Sequence, residues 1–354
     1  MNCKMPTLCI GLMLSVCSIG LTQVPAPELL CNWQDPDLTP TSWLNSRYNE
    51  VWGVTIAGRE YAVIGSTMGI HFINVTEAPD CVPLPEAWVA GAAQGSNLIH
   101  RDFKHYQHYL YAVADEGAST LQIIDLSGLP QATEVVYDDD EFVRTAHNLF
   151  IDTVTAKLYL CGGNSPTGGF AIRILSLADP EDPVMIGSFP NSNFYLPYVH
   201  DLYVRHDTAY LNCGNSGFYV VDFTDPVEPV LLGTITDYPG AGYNHSGWLS
   251  DDGHYYFLCD ETHGSPVKVV DVSDFSDMHV VATMAAGTAD SRIAHNALLR
   301  DDVLYVSYYY DGFQAWDVSD PLHPLHIAAY DTYPGPDGYS YKGAWGVFPL
   351  PSGK

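Results

Sequence analysis

Basic residues are scarce in this chain of 354 residues, which has 14 Lys and Arg against 42 Asp and Glu and a formal charge of −28. Nucleic-acid binding requires a basic surface against the phosphate backbone, so we exclude nucleic acid as a partner. Association with anionic membrane surfaces is disfavoured for the same electrostatic reason. The composition indicates a soluble extracellular protein or, more simply, a solvated surface that resists aggregation.

The sequence also lacks the short motifs of several enzyme classes. It contains no G-x-S-x-G of serine hydrolases, no G-x-x-x-x-G-K-[ST] phosphate loop and no H-E-x-x-H zinc motif. Acidic residues are too numerous to single out one pair for glycoside hydrolysis. Enzymatic activity is therefore left open, and we favour a protein without one.

Long apolar runs are limited to residues 8–21, which follow the single charge of Lys4. This stretch is too short to span a membrane as a helix and has the form of the apolar core of an export signal. We predict a signal peptide over residues 1–22 and a mature domain over 23–354. The protein is then secreted, with no transmembrane segment beyond the signal.

Cysteines outside the predicted signal are few, and they number five: Cys31, Cys81, Cys161, Cys213 and Cys259. An odd count argues against a complete disulfide framework, and no C-x-x-C spacing suggests a zinc site. The last three fall near the ends of similar apolar segments, where we predict buried free thiols.

Recurring apolar segments are the strongest pattern present. "QIIDLS" (122–127), "YVVDFT" (219–224) and "KVVDVS" (268–273) represent a strand that ends in Asp before a turn. Other short segments recur in a fixed order around it, so that each unit of about 45–50 residues holds four short strands, as in a propeller blade. The register marks of these units are Trp52, Asp102, Asn148, Asp201, Ser246, Asn296 and Trp345.

Seven register marks predict an all-β, seven-bladed β-propeller of four-stranded blades, which start near residues 50, 101, 147, 200, 245, 295 and 343. The last blade is incomplete, because only "GAWGVFPLPSGK" (343–354) follows its start. We expect "PELLCNW" (27–33) to supply its outer strand and so to close the ring.

Several longer motifs occur in a fixed order from about residue 28 onward. They are "YNEVWG" (48–53), "GREYAVIGS" (58–66), "HRDFK" (100–104), "AHNLFID" (146–152), "YVHDLYVR" (198–205), "YNHSGWLSDDG" (243–253), "DETHG" (260–264), "IAHN" (293–296) and "YKGAWGVFPLPSG" (341–353). This set resembles the choice-of-anchor B family, whose members carry LVIVD-type β-propeller repeats.

The resemblance implies a secreted protein, fixed at the cell surface by a C-terminal anchor that lies beyond the given sequence. It implies no assigned enzymatic activity. The chain departs from the family at His100, where the family usually has Trp before Arg-Asp.

Strand direction predicts which side chains share a face. The first strand of each blade starts at one face and lines the channel, and the second strand returns to that face. The channel mouth is thus the predicted ligand site. Its candidate residues are Glu50, Arg101, Asp102, His147, Asn148, His200, Asp201, His245, His295 and Asn296.

Three interpretations of the repeated histidines stay open. The first is structural, because each blade must satisfy the same backbone groups at the start of its first strand. The second is a polar ligand site. The third is a transition-metal or catalytic site, since imidazoles and carboxylates bind such metals. Its candidate ligands are His200, His245, Asp260, Glu261 and His263.

Calcium is a further cofactor to consider, because "DDDE" (138–141) offers carboxylate oxygens. We favour a solvated acidic loop for this run, because no EF-hand spacing is present. We predict a monomeric secreted or cell-surface propeller that binds a glycan, peptide or protein at the channel mouth. The alternative is a metal-dependent extracellular enzyme, of hydrolase type, that uses the same mouth.

Overall fold

The structure is a computed structural model, and it describes residues 27–287 and 292–354. The predicted signal peptide, residues 1–22, lies outside the described residues. Within these residues the chain forms six β-sheets in sequence order, and each sheet is one blade of a propeller. No helix in the described ranges has the length and apolar character needed to cross a bilayer.

The strands of the six blades follow one another without exchange between sheets. Blades one and two contain β1 (Tyr48–Ile56), β2 (Arg59–Ser66), β3 (Gly69–Asn74), β4 (Val82–Pro83) and β5 (Val89–Ala90), then β6 (Arg101–Tyr106), β7 (Tyr109–Ala114), β8 (Leu121–Asp125) and β9 (Glu134–Asp139). Blades three and four contain β10 (Asn148–Asp152), β11 (Lys157–Ser165), β12 (Gly168–Ser176) and β13 (Val184–Phe189), then β14 (Asp201–Arg205), β15 (Thr208–Asn212), β16 (Phe218–Asp222) and β17 (Val230–Ile235). Blades five and six contain β18 (Asn244–Leu249), β19 (Tyr255–Asp260), β20 (Val267–Asp271) and β21 (His279–Met284), then β22 (Ala294–Arg300), β23 (Val303–Tyr308), β24 (Gly312–Asp317) and β25 (Leu325–Tyr330).

Every blade is an antiparallel sheet with its strands in chain order, and the first strand lies innermost. The outer position of blade one is divided between β4 and β5, which both pair with β3 and are separated by a short 3₁₀-helix, Pro85–Ala87. The first strands contact one another from β1 through β6, β10, β14 and β18 to β22, and so they line the channel.

The Asp that ends four of the six third strands has a local structural role. Asp125 Oδ1 accepts the backbone N–H of Ser127 at 2.7 Å, and Asp222 Oδ1 accepts that of Thr224 at 2.8 Å. Such turns let a short polar side chain replace a backbone hydrogen bond where the strand ends. The repeated Asp of segments such as "YVVDFT" (219–224) therefore stabilises a turn and is not evidence of a binding site.

The hydrophobic core lies between the blades. One cluster joins Tyr111 and Leu121 of blade two to Leu149 and Leu160 of blade three, and all four side chains are fully buried. Where two blades face each other their sheets are covered in this way, which explains why the middle strands read as near-continuous apolar runs.

The predicted number of seven blades is wrong, because the described residues form six. Trp345 repeats a register mark, but residues 343–350 form no strand ladder. We call residues 343–354 the closing segment, since it lies between blades six and one. Arg300 of blade six donates to the Pro349 carbonyl at 3.1 Å, and Phe348 packs on Trp52 of blade one with ring centroids 4.6 Å apart.

The far end of the closing segment is bound to blade one by polar contacts. Lys354 Nζ lies 2.9 Å from Glu60 Oε2, and the Ser352 N–H donates to Glu60 Oε1 at 2.8 Å. Burial alone would raise the pKa of Glu60, but these donors lower it overall. The ring is therefore closed by side-chain contacts where a seventh sheet was expected.

The segment "PELLCNW" (27–33) was expected to supply an outer strand of the last blade, and this is wrong because it forms no strand. Cys31 instead forms a disulfide with Cys81, which follows β3 of blade one. Trp33 packs on the rings of Tyr48 and His71, with centroids 5.7 and 5.0 Å away. The prediction of buried free thiols at Cys161, Cys213 and Cys259 is confirmed.

Candidate functional site

Five imidazoles from five consecutive blades form a continuous arc around the channel mouth. Their ring centroids are separated by 4.9 Å for His100 and His147, 4.0 Å for His147 and His200, 4.4 Å for His200 and His245, and 4.5 Å for His245 and His295. Each blade places its histidine at the start of the first strand, so the repeat of the fold produces the repeat of the side chain.

Trp345 of the closing segment completes this arc into a ring. Its indole lies 5.3 Å from the His295 ring and 5.5 Å from the His100 ring, with edge-to-face geometry in both cases. Six aromatic side chains, five from blades two to six and one from the closing segment, thus surround one point on the channel axis. We call this set of five histidines and one tryptophan the histidine ring.

Blade two departs from the pattern by one residue. Arg101 occupies the backbone position of the other histidines, but its guanidinium turns away and donates to the carbonyls of Ser66 at 3.3 Å and Ala93 at 2.7 Å. His100 enters the ring in its place. Arg101 was predicted at the channel mouth and does border the cavity, although the imidazole at this place in the ring comes from the preceding residue.

The ring opens into a cavity of about 420 Å³. Nine of the ten residues predicted for ligand binding border this cavity. The exception is Asp201, which lies one layer deeper in the channel beside Lys104 and Trp248. A volume of this size suits a small molecule or the end of a larger one.

The deeper layer concentrates acidic groups around one cation. Lys104 Nζ lies 2.9 Å from Asp102 Oδ1, and Glu50 and Asp201 are close enough to affect its charge. Burial would lower the pKa of Lys104, but the three carboxylates raise it overall. Burial, reinforced by Asp102, raises the pKa of Glu50 to about 8 and that of Asp201 to about 7.

The deepest imidazoles of the ring are neutral at pH 7. Burial lowers the pKa of His245 to about 3 and that of His295 to about 3. The pKa of His200 is also well below its usual value, first because the ring is buried and then because its histidine neighbours repel a charge. Neutral imidazoles accept as well as donate hydrogen bonds, and they bind transition metals.

The predicted metal ligands are only partly brought together. His200, His245 and Glu261 border the cavity. Asp260 does not, because its carboxylate is fully buried in an ion pair with Lys268 and accepts the Tyr238 hydroxyl at 2.8 Å.

His263 also lies away from the cavity. Its ring packs on that of Tyr339, with centroids 5.0 Å apart. The five metal ligands predicted from the sequence therefore do not come together at one site.

Two other groups of three hold ligand atoms within 4.8 Å of one another among the described residues. They are His100, Asp115 and His147, and His245, Glu261 and His295. In the first group Asp115 Oδ2 accepts His147 Nδ1–H at 2.9 Å. The end of a second strand and the starts of first strands lie on the same face of the propeller. This explains why each group combines one carboxylate with two histidines.

The acidic run 138–141 has ordinary surface partners. Asp140 Oδ2 accepts Arg144 Nε–H at 2.8 Å, and Asp139 Oδ1 accepts the Glu141 N–H at 2.7 Å. Asp138 accepts a hydrogen bond from Gln122 at 3.1 Å. These carboxylates point to separate partners and do not converge, as calcium ligands would have to do.

An aromatic wall descends into the cavity on one side, and sequence reasoning missed it. Trp43 is 65% exposed, and its ring lies 6.0 Å from that of Tyr341. Tyr341 lies 5.3 Å from Tyr309, which lies 6.1 Å from Trp345. These residues come from loops and from the closing segment, where the repeat pattern supplies no register. Only Trp345 carried a signal, as a register mark.

The six antiparallel sheets around a channel define an all-β propeller, as the sequence predicted for the fold class. The LVIVD repeat family model matches residues 198–237, the start of blade four and its four strands. This match supports an LVIVD-repeat propeller. A search of curated proteins found no match.

Solved structures with the same fold are numerous, and three illustrate their range. A protein from Lactobacillus plantarum has a TM-score of 0.56 and 14% identity, covering 75% of this chain and 79% of that one. The RRP9 WD40 repeats have a TM-score of 0.60 and 10% identity, covering 94% and 90%. A 6-phosphogluconolactonase candidate from Bacteroides fragilis has a TM-score of 0.57 and 15% identity, covering 84% and 85%. At these identities the likeness concerns the fold.

Proposed function

We propose that this protein is a secreted or cell-surface propeller that binds the end of a glycan at its channel mouth. The observation that carries the proposal is that the five histidines of the histidine ring, one from each of blades two to six, converge on one cavity. The Nδ1 atoms of all five histidines are hydrogen-bonded within the protein, so their Nε2 atoms are the ones left to donate to or accept from a ligand. Such a ring of directional polar groups suits a ligand that is rich in hydroxyl groups.

The aromatic wall supports a glycan over other polar ligands. Exposed aromatic rings such as Trp43 provide a flat apolar surface, while the imidazoles below provide hydrogen bonds. A sugar ring has both an apolar face and a polar edge. The peptide and protein ligands considered from the sequence remain alternatives that the binding experiment separates.

The charge of the mouth argues against an anionic ligand. Arg101 is the one cationic side chain among the described residues that border the cavity, and it is only 2% exposed and turned away. Asp102 and Glu261 border the same space. A phosphorylated substrate of the kind named for the lactonase candidate would meet these carboxylates. We therefore favour a neutral or cationic ligand.

The binding test uses glycan and peptide arrays, followed by calorimetry on each detected ligand. We expect Trp43→Ala and His200→Ala each to weaken binding by about 10-fold or more, a loss of roughly 1.4 kcal/mol. Trp88→Ala is the matched control, because Trp88 is also an exposed indole but borders a different cavity beside His71. Unchanged affinity in both mouth variants, or hits on the peptide array alone, would overturn the proposal.

Export is a separate part of the proposal. Its support is the apolar stretch at residues 8–21 behind Lys4. Expression of the full chain in a bacterial host, with fractionation of the cells, tests it. Mature protein that begins near residue 23 in the exported fraction supports export, and full-length protein retained in the cytoplasm argues against it. Size-exclusion chromatography of the same sample tests the predicted monomer.

The second candidate is a metal-dependent extracellular hydrolase. The grouping of histidines with carboxylates in the cavity favours it. A panel of ester, lactone and glycoside substrates, assayed with and without added divalent metal, tests this alternative. Turnover that requires metal and is lost in Glu261→Gln would favour it over simple binding.

A further inference from the structure

The hydrogen bonds of two imidazoles fix which nitrogen faces the cavity. His245 Nδ1 lies 3.1 Å from the His295 carbonyl oxygen, and His295 Nδ1 lies 2.5 Å from that of Trp345. A carbonyl oxygen only accepts, so both Nδ1 atoms carry the hydrogen. In the neutral rings the lone pair is then on Nε2. Histidines that bind metals are commonly held in this way, with the other ring N–H donated to a backbone carbonyl.

A carboxylate lies close to these two histidines. Glu261 offers a carboxylate oxygen that lies, with one ligand atom of His245 and one of His295, in a group spanning at most 4.8 Å. The Tyr309 hydroxyl donates to Glu261 Oε1 and fixes the orientation of the carboxylate. Two ligands of a tetrahedral zinc ion lie about 3.3 Å apart, given bonds of about 2.0–2.2 Å, so small side-chain adjustments suffice.

His200 supplies an independent observation. Its side chain is 7% exposed, and its Nε2 has no hydrogen-bond partner among the described residues. Its ring borders the same cavity, with its centroid 4.4 Å from that of His245. A buried polar atom without a partner is unfavourable by about 1–3 kcal/mol, and such atoms indicate an unrecorded ion or water.

We propose that His245, His295 and Glu261 bind one divalent transition-metal ion of the zinc class, with His200 Nε2 facing the fourth position. Two imidazoles and one carboxylate with an open position form a recognised ligand set for zinc and for other divalent first-row metals. Calcium does not fit, because it requires six to eight oxygen ligands. The inference rests on the proposed function in that it concerns the same cavity and adds a metal to it.

The other three-residue group provides a matched comparison. There His147 Nδ1 donates to Asp115, and His100 Nδ1 donates to Glu116 Oε1 at 2.6 Å. The carboxylate of this group, Asp115, is thus already the acceptor for one of the group's own histidines. All three residues of the group are partly exposed, whereas His245 and His295 are buried. The metal is therefore assigned to the group of blades five and six.

The experiment titrates zinc chloride into chelator-treated protein by calorimetry, with mass spectrometry under native conditions for the stoichiometry. We expect one zinc ion per chain. Glu261→Gln should weaken binding by at least about 10-fold and His295→Ala by about 100-fold. His147→Ala, the control from the other group, should stay within about 3-fold of the wild type, which corresponds to less than about 1 kcal/mol.

Two outcomes would overturn the assignment: no stoichiometric zinc binding by the wild type, or binding that His147→Ala removes while Glu261→Gln leaves it unchanged. His295→Ala loses a structural hydrogen bond, so its fold is checked by circular dichroism. If His295→Ala does not fold, the near-isosteric Glu261→Gln serves as the test. Glycan binding by metal-free protein would preserve the proposed function if zinc binding fails. Zinc binding without any glycan would preserve the metal site alone.

Discussion

His295 and Trp345 are joined by a hydrogen bond of 2.5 Å between Nδ1 and the carbonyl oxygen. His295 belongs to the first strand of blade six, and Trp345 belongs to the closing segment. The same contact therefore forms part of the cavity wall and part of the joint between the last and first blades. Stability of the ring and shape of the site depend on one short segment.

Removing an apolar anchor of the closing segment should destabilise the whole propeller. Leu350 is 6% exposed and packs against Ile73 and Val75 of blade one. We expect Leu350→Ala to lower the free energy of unfolding by about 2–5 kcal/mol, measured by urea denaturation. Leu322→Ala, at an exposed position, should change it by less than about 0.5 kcal/mol. Equal effects would show that the segment does not close the ring.

The Cys31–Cys81 disulfide should contribute substantially to stability, because it spans 50 residues of sequence. Loop-closure entropy predicts a loss of about 3–4 kcal/mol on its removal. We expect a reductant to lower the melting temperature of the wild type but not that of a Cys31→Ser, Cys81→Ser double variant. A wild type that is insensitive to full reduction would contradict this contribution.

The Asp260–Lys268 ion pair should be costly to break, since both side chains are 0% exposed. Lys268→Met leaves a buried carboxylate without its cation, and we expect a loss of about 3–5 kcal/mol. Asp260→Asn in the same chain should recover part of this loss. Arg144→Met removes the surface pair with Asp140 and should cost less than about 1 kcal/mol. If Lys268→Met and Arg144→Met unfolded at the same urea concentration, the buried ion pair would contribute no more to stability than the surface pair does.

Above about pH 7 the buried histidines, whose ordinary pKa is 6.5, are largely neutral in both the folded and the unfolded state. Stability should therefore decrease as the pH rises from about 7 to 8, because the folded-state pKa of Glu50 is about 8 and that of Asp201 about 7. Their ordinary values are 4.5 and 3.8. In this pH range the folded protein holds protons that the unfolded chain has released, so raising the pH favours unfolding.

Glu50 alone should contribute a slope of up to about 1.4 kcal/mol per pH unit. Urea denaturation at several pH values, with chelator present, measures the slope. Glu50→Gln should make it shallower, and the exposed Glu141→Gln should not. A slope that is the same in all three proteins would contradict the assignment of a raised pKa to Glu50.

The sequence predicted the all-β propeller because each blade solves the same packing problem with similar residues. Segments such as 219–224 repeat an apolar strand and an Asp that forms the following turn, and both are local features. The number of blades was wrong for a related reason. Trp345 takes a position at the channel like that at the start of a first strand, but the segment that carries it forms no strand. The sequence pattern marks the position and not the sheet.

The candidate site was predictable only where it follows the repeat. His147, His200, His245 and His295 border one cavity because they start equivalent strands. His100 was not predicted, since a shift of one residue in blade two exchanges it with Arg101.

Tyr309, Tyr341 and Trp43 lie outside the repeat pattern. Their approach to the cavity depends on how loops and the closing segment pack in three dimensions.

The closing segment also has a consequence for how the protein is made. All six blades precede Trp345 in the chain, and domains tend to fold from the N-terminus during synthesis. The blades can then assemble their sheets while the mouth still has an opening between His295 and His100. The cavity has its sixth wall only when this segment is docked against His295 and His100, so we expect ligand binding to require the docked segment.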